Sequence, residues 1–162
     1  MKNLIVLRHG KAVDVLVAGD RARDLTERGK RDAEAMGTLL GREVGVPDLI
    51  VSSDALRARQ TAEIVGVAAG YVDVIHFEPA IYNATLDTLL DLVRALPNDA
   101  DYVLLVGHNP GFESLSADLA LEGTKPPRLP TCGFAHLRFD TARWRDARAS
   151  TGKLVAVHWP KE

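Results

Sequence analysis

Short apolar segments alternate with helix-like segments over most of this 162-residue chain, and this alternation restricts its fold more than any other feature. Residues 4–7 and 102–106 are apolar throughout, which is typical of strands buried on both faces of a sheet. Two further strand candidates lie at 48–53 and 73–78. Strands that alternate with helices predict a mainly parallel sheet covered on both sides by helices.

Helical periodicity fills the segments between these strands. Thr26 and Thr85 each precede an apolar stripe at helical spacing and can cap a helix, and Asp54 can cap another. Glycine or proline follows two of the stripes and ends them. The expected helices cover about 27–44, 55–67, 86–96 and 111–121.

The last third of the chain predicts two more strands, at 133–139 and 154–158. The first alternates polar and apolar residues, with His136 on the polar side, as expected for an edge or antiparallel strand with one wet face. The segments 13–25 and 123–130 are polar or rich in proline, and we expect them to be loops.

Composition narrows the classes of function. A net charge of −2 and a pI near 6.2 argue against binding to nucleic acid or to a membrane surface, so any basic site must be local. Cys132 is the only cysteine, which excludes an intrachain disulfide and a CxxC metal site. No apolar segment approaches the ~20 residues that span a bilayer, and the N-terminus lacks a signal-peptide pattern. We therefore expect a single cytoplasmic domain over residues 1–162.

Basic residues follow three of the predicted strands, close to where each strand ends. Arg8 and His9 come directly after the first strand, and His108 follows the 102–106 strand in a Gly-His-Asn-Pro turn. Arg57 lies in the first turn of the helix that follows the second strand. Because ligands of open α/β sheets bind beyond the carboxyl ends of the strands, we expect these four side chains to converge there.

These residue types suit phosphoryl transfer. Two guanidinium groups and a protonated imidazole of His108 can neutralise phosphoryl oxygens, and the neutral imidazole of His9 can act as nucleophile. Each motif alone also fits a surface loop or a hydrogen-bonded turn, and only their combination favours a site. The cationic side chains supply the charge that Mg²⁺ supplies in other enzymes, so we expect no metal or other cofactor. The sequence has neither a Walker A loop nor a Cys-x₅-Arg loop.

The order of four motifs resembles the histidine phosphatase superfamily, which includes the cofactor-dependent phosphoglycerate mutases. The motifs are LRHG at 7–10, DRARDLTERG at 20–29, SSDALRARQTAEIV at 52–65 and LLVGHNP at 104–110. The short length and the pairing of RHGKA with RARQTAEIV are most similar to SixA-type phosphohistidine phosphatases. The resemblance implies a phosphoglycerate mutase-like α/β/α sandwich with a mixed, mainly parallel sheet. It also implies that His9 accepts the phosphoryl group in a pocket formed with Arg8, Arg57 and His108.

Two positions depart from the family pattern. Many family members carry an acidic proton donor in the segment that here covers 77–83, where Glu78 is the only carboxylate. We interpret Glu78 as a surface residue at a strand end and keep it only as a weak candidate for the donor. Cys132 stands where similar sequences often have a small residue such as glycine, and we interpret it as a buried small residue and not a nucleophile.

Three functions remain open. The leading hypothesis is a metal-independent phosphatase that acts on phosphohistidine in a partner protein, for example a histidine-containing phosphotransfer domain. The missing acid favours this substrate because a protonated phosphoimidazole leaves readily and a sugar alkoxide does not. Short loops after residue 10 and at 123–131 predict an open site that suits a protein side chain. The alternatives are a phosphatase of small sugar or nucleotide phosphates and a phosphoprotein-binding module without turnover. A mutase is disfavoured by the short chain.

Overall fold

The computed structural model describes residues 1–15 and 17–161, so Leu16 in the predicted 13–25 loop and Glu162 at the end of the predicted domain lie outside the described residues. Six strands form one sheet, and four α-helices pack against it. The strands are β1 (Lys2–Arg8), β2 (Leu49–Ser52), β3 (His76–Phe77), β4 (Tyr102–Gly107), β5 (Phe134–Phe139) and β6 (Lys153–His158). The helices are α1 (Glu27–Glu43), α2 (Leu56–Ala69), α3 (Leu86–Arg94) and α4 (Gly111–Leu119). In the part of the chain described here, no helix combines the length and apolar character needed to cross a membrane.

The sheet is mixed and mainly parallel, with strand order β3-β2-β4-β1-β5-β6. The first four strands in this order pair in parallel, whereas β5 and β6 are antiparallel to their neighbours. In the β1–β4 register Arg8 lies opposite Gly107. The carboxyl ends of β1, β2 and β4 therefore meet at one edge of the sheet, as the sequence predicts.

Side chains of the central strand β1 alternate between two cores, one on each face of the sheet. Ile5 and Leu7 pack with α1 and α2, whereas Leu4 and Val6 pack with α3 and α4. All four side chains are buried. This arrangement confirms the predicted α/β/α sandwich.

Helix starts agree with the predicted caps at two of three places. The hydroxyl of Thr26 accepts a hydrogen bond from the Gly29 amide at 3.0 Å, and α3 has Thr85 as its N-cap. The prediction for Asp54 is wrong, because Ala55 is the N-cap of α2 and no side chain caps this helix. A capping side chain belongs to the N-cap residue and accepts a hydrogen bond from an amide in the first turn of the helix. Asp54 lies one position before the N-cap Ala55, whose side chain has no acceptor.

The late strands differ from their predicted surroundings. β5 is antiparallel as expected, but it lies between β1 and β6, and β6 is the edge strand. His136 in β5 is buried on the sheet face of its register partner Ile5, which packs with α1 and α2, so the predicted wet face is wrong for this residue. Its Nε2 lies 2.8 Å from the side-chain oxygen of Asn3, which satisfies the buried ring. β3 is also shorter than the predicted 73–78 strand.

Gly29 allows α1 to contact the segment that follows β1. A Cβ atom on Gly29 would lie 2.2 Å from the carbonyl oxygen of Lys11. The same carbonyl accepts a hydrogen bond from the backbone amide of Thr26 at 2.9 Å. The first turn of α1 thus holds the backbone just beyond His9 and Gly10.

We expect Gly29→Ala to lower the free energy of unfolding by about 1–3 kcal/mol, the usual cost of forcing extra atoms into a packed site. The gain in helix propensity, roughly 0.5–1 kcal/mol, is too small to compensate. Urea denaturation measures the change. Gly41→Ala in the same helix is the matched control, because the nearest atom to its Cβ, the Ala69 Cα, lies 3.2 Å away. Equal effects of both variants would show that the Lys11 contact is not rigid.

Candidate active site

The four residues predicted from the sequence lie together at the carboxyl edge of the sheet. The Nε atom of Arg57 is 3.3 Å from Nε2 of His9, and the rings of His9 and His108 have their centroids 5.2 Å apart. Arg8 and these three residues line one cavity of about 310 Å³. Strand ends position Arg8, His9 and His108, and the first turn of α2 positions Arg57.

A backbone carbonyl determines which nitrogen of His9 is free. Nδ1 of His9 lies 2.7 Å from the carbonyl oxygen of Gly10, and a carbonyl can only accept a hydrogen bond. Nδ1 therefore carries the hydrogen, and the lone pair is on Nε2. The backbone amide of Gly10 donates to the hydroxyl of Thr61 in α2 at 3.0 Å. This bond fixes Gly10, and with it the carbonyl that His9 contacts, against α2. The arrangement presents a basic nitrogen next to the guanidinium of Arg57.

The imidazole of His9 is neutral over the physiological range. Only 8% of this residue is exposed. Burial, together with the nearby His108, Arg57 and Arg8, lowers its pKa to about 3 against the opposing effect of the Gly10 carbonyl. A neutral imidazole is the form that can act as a nucleophile.

His108 is also neutral in the ligand-free protein. Its Nε2 lies 2.7 Å from the hydroxyl oxygen of Ser53. Burial, followed by the charge of Arg57, lowers the pKa of His108 to about 4. The protonated imidazole expected beside a phosphoryl group remains a prediction, because burial keeps the ring neutral only in the ligand-free protein.

Arg8 is held by the loop that precedes β5. Its Nη1 donates to the carbonyl oxygen of Leu129 at 3.1 Å, and the side-chain Nδ2 of Asn109 donates to the same oxygen at 2.9 Å. The carboxylate of Glu113 accepts from the Leu129 amide at 2.7 Å. These contacts tie the proline-rich 123–130 segment to the site and orient the Arg8 guanidinium toward the cavity.

Asp20 and Tyr82 also belong to the site, although neither is among the four residues predicted from the sequence. Arg57 donates through Nη1 to the backbone oxygen of Asp20 at 2.8 Å and through Nη2 to its carboxylate at 3.0 Å. The hydroxyl of Tyr82 donates to the same carboxylate, and its ring meets the ring of His108 edge-on at 5.5 Å. The only sequence signal for Asp20 is its place at the start of the DRARDLTERG motif.

Asp20 is ionised and is therefore a poor proton donor. The hydrogen bond from Tyr82, followed by those from Arg23 and Arg57, holds the pKa of this carboxyl well below its usual range. The weak candidate Glu78 lies elsewhere, in a cavity between β2, β3 and α3. Among the described residues the site thus contains the Asp20 carboxylate, but no carboxylic acid that is protonated at neutral pH.

Cys132 takes no part in the chemistry. It is fully buried with φ of 61°, a conformation that favours glycine, and its amide donates to the His9 carbonyl at 2.9 Å. Burial raises the pKa of its thiol to about 12, so no thiolate forms at neutral pH. The described residues also contain no group of three His, Cys, Asp or Glu side chains placed to hold a metal ion.

Comparisons with known proteins agree with this geometry. A family model described as histidine phosphatase superfamily (branch 1) matches residues 4–82. The putative phosphohistidine phosphatase SixA from Agrobacterium tumefaciens is 31% identical, superposes with a TM-score of 0.81, and aligns over 99% of both chains. The chain belongs to the histidine phosphatase superfamily. Membership confirms the predicted family, the phosphoglycerate mutase-like fold and the enzyme class, a phosphatase.

Two further relatives cover nearly the whole chain. The putative phosphohistidine phosphatase SixA from Nakamurella multipartitia is 28% identical with a TM-score of 0.85, over 98% of this chain and 96% of its own. A chloroplastic protein of Arabidopsis thaliana is 30% identical over 161 residues, which is 93% of this chain and 72% of its own. This histidine phosphatase is therefore SixA-like in length as well as in fold.

The two neutral imidazoles predict that the protein loses stability in mild acid. Each histidine has a folded pKa below the ordinary value of 6.5, so the unfolded chain binds the proton first. The stabilisation is complete above pH 6.5 and is lost as the pH falls toward 4. Between pH 7 and pH 5, we expect the free energy of unfolding in urea to fall by about 1–2 kcal/mol less for His108→Asn than for the wild-type protein. A pH dependence in His108→Asn equal to that of the wild-type protein would contradict a neutral His108.

Removal of the Asp20 charge should strengthen anion binding to this histidine phosphatase. Asp20→Asn keeps an oxygen for Arg57 but removes the negative charge beside it. We expect the Kd of inorganic phosphate, measured by isothermal titration calorimetry, to fall about fivefold, since a unit charge a few ångströms away is worth about 1 kcal/mol in water-like surroundings. Asp24→Asn, in the same segment but hydrogen-bonded to Gln60, is the control. Weaker binding by Asp20→Asn would contradict this account.

Proposed function

We propose that this protein is a metal-independent phosphatase that works through a phosphohistidine intermediate on His9 and removes the phosphoryl group from phosphohistidine in a partner protein. The proposal includes a single domain over residues 1–162, acting in the cytoplasm. It is supported by the orientation of His9, whose Nδ1–H is bound to Gly10 and whose Nε2 lone pair lies beside Arg57.

In the first step Nε2 of His9 attacks phosphorus, and the bond between phosphorus and the substrate nitrogen breaks. Arg8 and Arg57 neutralise the phosphoryl oxygens, because guanidinium groups suit the geometry of such oxygens. A substrate phosphoimidazole that carries a hydrogen on its other nitrogen departs as a neutral imidazole. This step therefore needs no proton from the enzyme.

In the second step water attacks the phosphoryl group on His9, the bond from phosphorus to Nε2 breaks, and inorganic phosphate leaves. The hydrogen bond from Nδ1–H to the Gly10 carbonyl persists through both steps. His9 thus departs as the neutral tautomer found in the free protein. The proton released by water goes to the phosphate product or to solvent.

The state of Asp20 favours a phosphoramidate over an ester. An alkoxide leaving group needs a general acid, and the carboxylate of Asp20 is held ionised by Tyr82, Arg23 and Arg57. An imidazole leaving group does not need one. Small phosphate esters remain the second candidate, because the 310 Å³ cavity has room for a small ligand.

The decisive experiment uses a histidine-containing phosphotransfer domain phosphorylated on its histidine. We expect the wild-type protein to release inorganic phosphate and His9→Ala to be slower by at least about 1000-fold, since the nucleophile is lost. Brief incubation with radiolabelled substrate should trap an acid-labile phosphoryl group on His9. His76→Ala is the matched control, because this histidine is exposed on β3 away from the cavity.

Each alternative predicts a different result. Higher kcat/KM for a sugar or nucleotide phosphate than for the phosphorylated domain would establish the ester phosphatase. Binding of the phosphorylated domain without phosphate release or a trapped intermediate would establish a binding module. Equal turnover by His9→Ala would exclude His9 as the nucleophile.

A further inference from the structure

Ser53 is a buried residue that contacts the ring of His108 at the candidate site. It follows β2 directly, is fully buried, and its hydroxyl oxygen lies 2.7 Å from Nε2 of His108. Its amide donates to the carbonyl oxygen of Val106 at 2.9 Å, which fixes the residue beside β4. The serine and the histidine it contacts are thus held by adjacent strands of one sheet.

Hydrogen-bond accounting determines the direction of this contact. The hydroxyl oxygen of Ser53 already accepts a hydrogen bond from the Ala55 amide at 3.2 Å. The hydroxyl also carries one hydrogen, and among the described residues Nε2 of His108 is the acceptor it contacts. A buried hydroxyl almost always donates its hydrogen, so Ser53 donates and Nε2 accepts.

The direction of this bond determines the tautomer of His108. A neutral imidazole whose Nε2 accepts must carry its hydrogen on Nδ1. Nδ1 of His108 is buried and has no hydrogen-bond partner among the described residues. A buried N–H without a partner is unfavourable, and a phosphoryl oxygen in the cavity that His108 lines would satisfy it.

We propose that Ser53 is a positioning residue that holds His108 as the Nδ1–H tautomer and so makes Nδ1 a fixed hydrogen-bond donor to a phosphoryl oxygen. Without the hydroxyl, the ring can place its hydrogen on either nitrogen, and the donor is lost in part of the molecules. The edge-on contact with Tyr82, at 5.5 Å between ring centroids, restricts the plane of the same ring. The consequence for turnover rests on the proposed phosphatase function, whereas the tautomer itself does not.

Nitrogen-15 NMR of the ligand-free protein tests the tautomer without any substrate. We expect the His108 signals of wild type to show Nδ1 protonated and Nε2 unprotonated, and those of Ser53→Ala to move toward the opposite tautomer. Ser53→Thr keeps the hydroxyl and should keep the wild-type pattern. A protonated Nε2 of His108 in the wild-type protein would overturn the proposal. This test does not depend on whether the variants fold.

Binding of inorganic phosphate tests the consequence for the site. We expect Ser53→Ala to raise the Kd about tenfold, within the range measured for the loss of one aligned donor to an anion. The same change in a His108→Ala background should have no further effect, because Ser53 acts through His108. A full additional tenfold loss in that background would overturn the proposal in favour of a general structural effect.

Ser52→Ala is the matched control. Ser52 is the neighbouring residue and is equally buried, but its hydroxyl donates to the backbone oxygen of Ser53 at 2.9 Å and not to a histidine. We expect the His108 tautomer and the phosphate affinity of the Ser52→Ala protein to match those of the wild-type protein. A tenfold loss of affinity in Ser52→Ala as well would show that any cavity at this strand end has the same effect, and would overturn the proposal. Failure of the phosphotransfer-domain assay alone would overturn the phosphatase function and leave the tautomer result standing.

Discussion

The parallel pairing of β1 with β4 is the constraint on which the site depends. Arg8 lies opposite Gly107 in this register, so the two histidines that follow these residues emerge side by side. The amide of His9 also donates to the Gly107 carbonyl at 3.0 Å, which extends the pairing one residue beyond the strand. A one-residue slip would turn each side chain to the opposite face of the sheet and separate the two rings.

Burial at this strand edge decides the protonation of both imidazoles. Each ring is desolvated and lies near arginine charges, so the neutral form is favoured. His9 is hydrogen-bonded to the carbonyl of Gly10 and the guanidinium of Arg57, and His108 to the hydroxyl of Ser53, and none of these groups adds a negative charge. The protein thereby orients both rings while the pKa of each stays below its ordinary value, which leaves a lone pair on His9 and an N–H on His108.

Asp20 balances the positive charge that this arrangement needs. Arg57 uses two of its nitrogens for Asp20 and a third for His9, so its position is defined before a phosphoryl group arrives. The same contacts keep the Asp20 carboxylate ionised. A site with two guanidinium groups and no protonated carboxylic acid handles a good leaving group better than an alkoxide, and this connects the geometry to a phosphoramidate substrate.

Local patterns in the sequence were sufficient for the sheet and for the four residues at its edge. Apolar strands that end in Arg8-His9 and Gly107-His108 predict their own convergence, because parallel strands share a carboxyl edge. Thr26 and Thr85 could also be predicted as helix caps from the local sequence, because a capping side chain hydrogen-bonds to an amide in the same turn. Contacts between segments that are distant in the chain could not be predicted from such local patterns.

Only the tertiary structure decided which groups surround those four residues. Asp20 and Tyr82 are 62 positions apart and meet at one carboxylate, and His136 is buried on the α1 and α2 face of the sheet, the side of β5 that the sequence predicted to be wet. The charge of His108 likewise depends on desolvation by the whole fold and not on its neighbours in the chain. The sequence by itself determined the strands and the residue types at their ends, because these follow from local periodicity. The partners and protonation states of those residues depend on packing between segments that are remote in the chain.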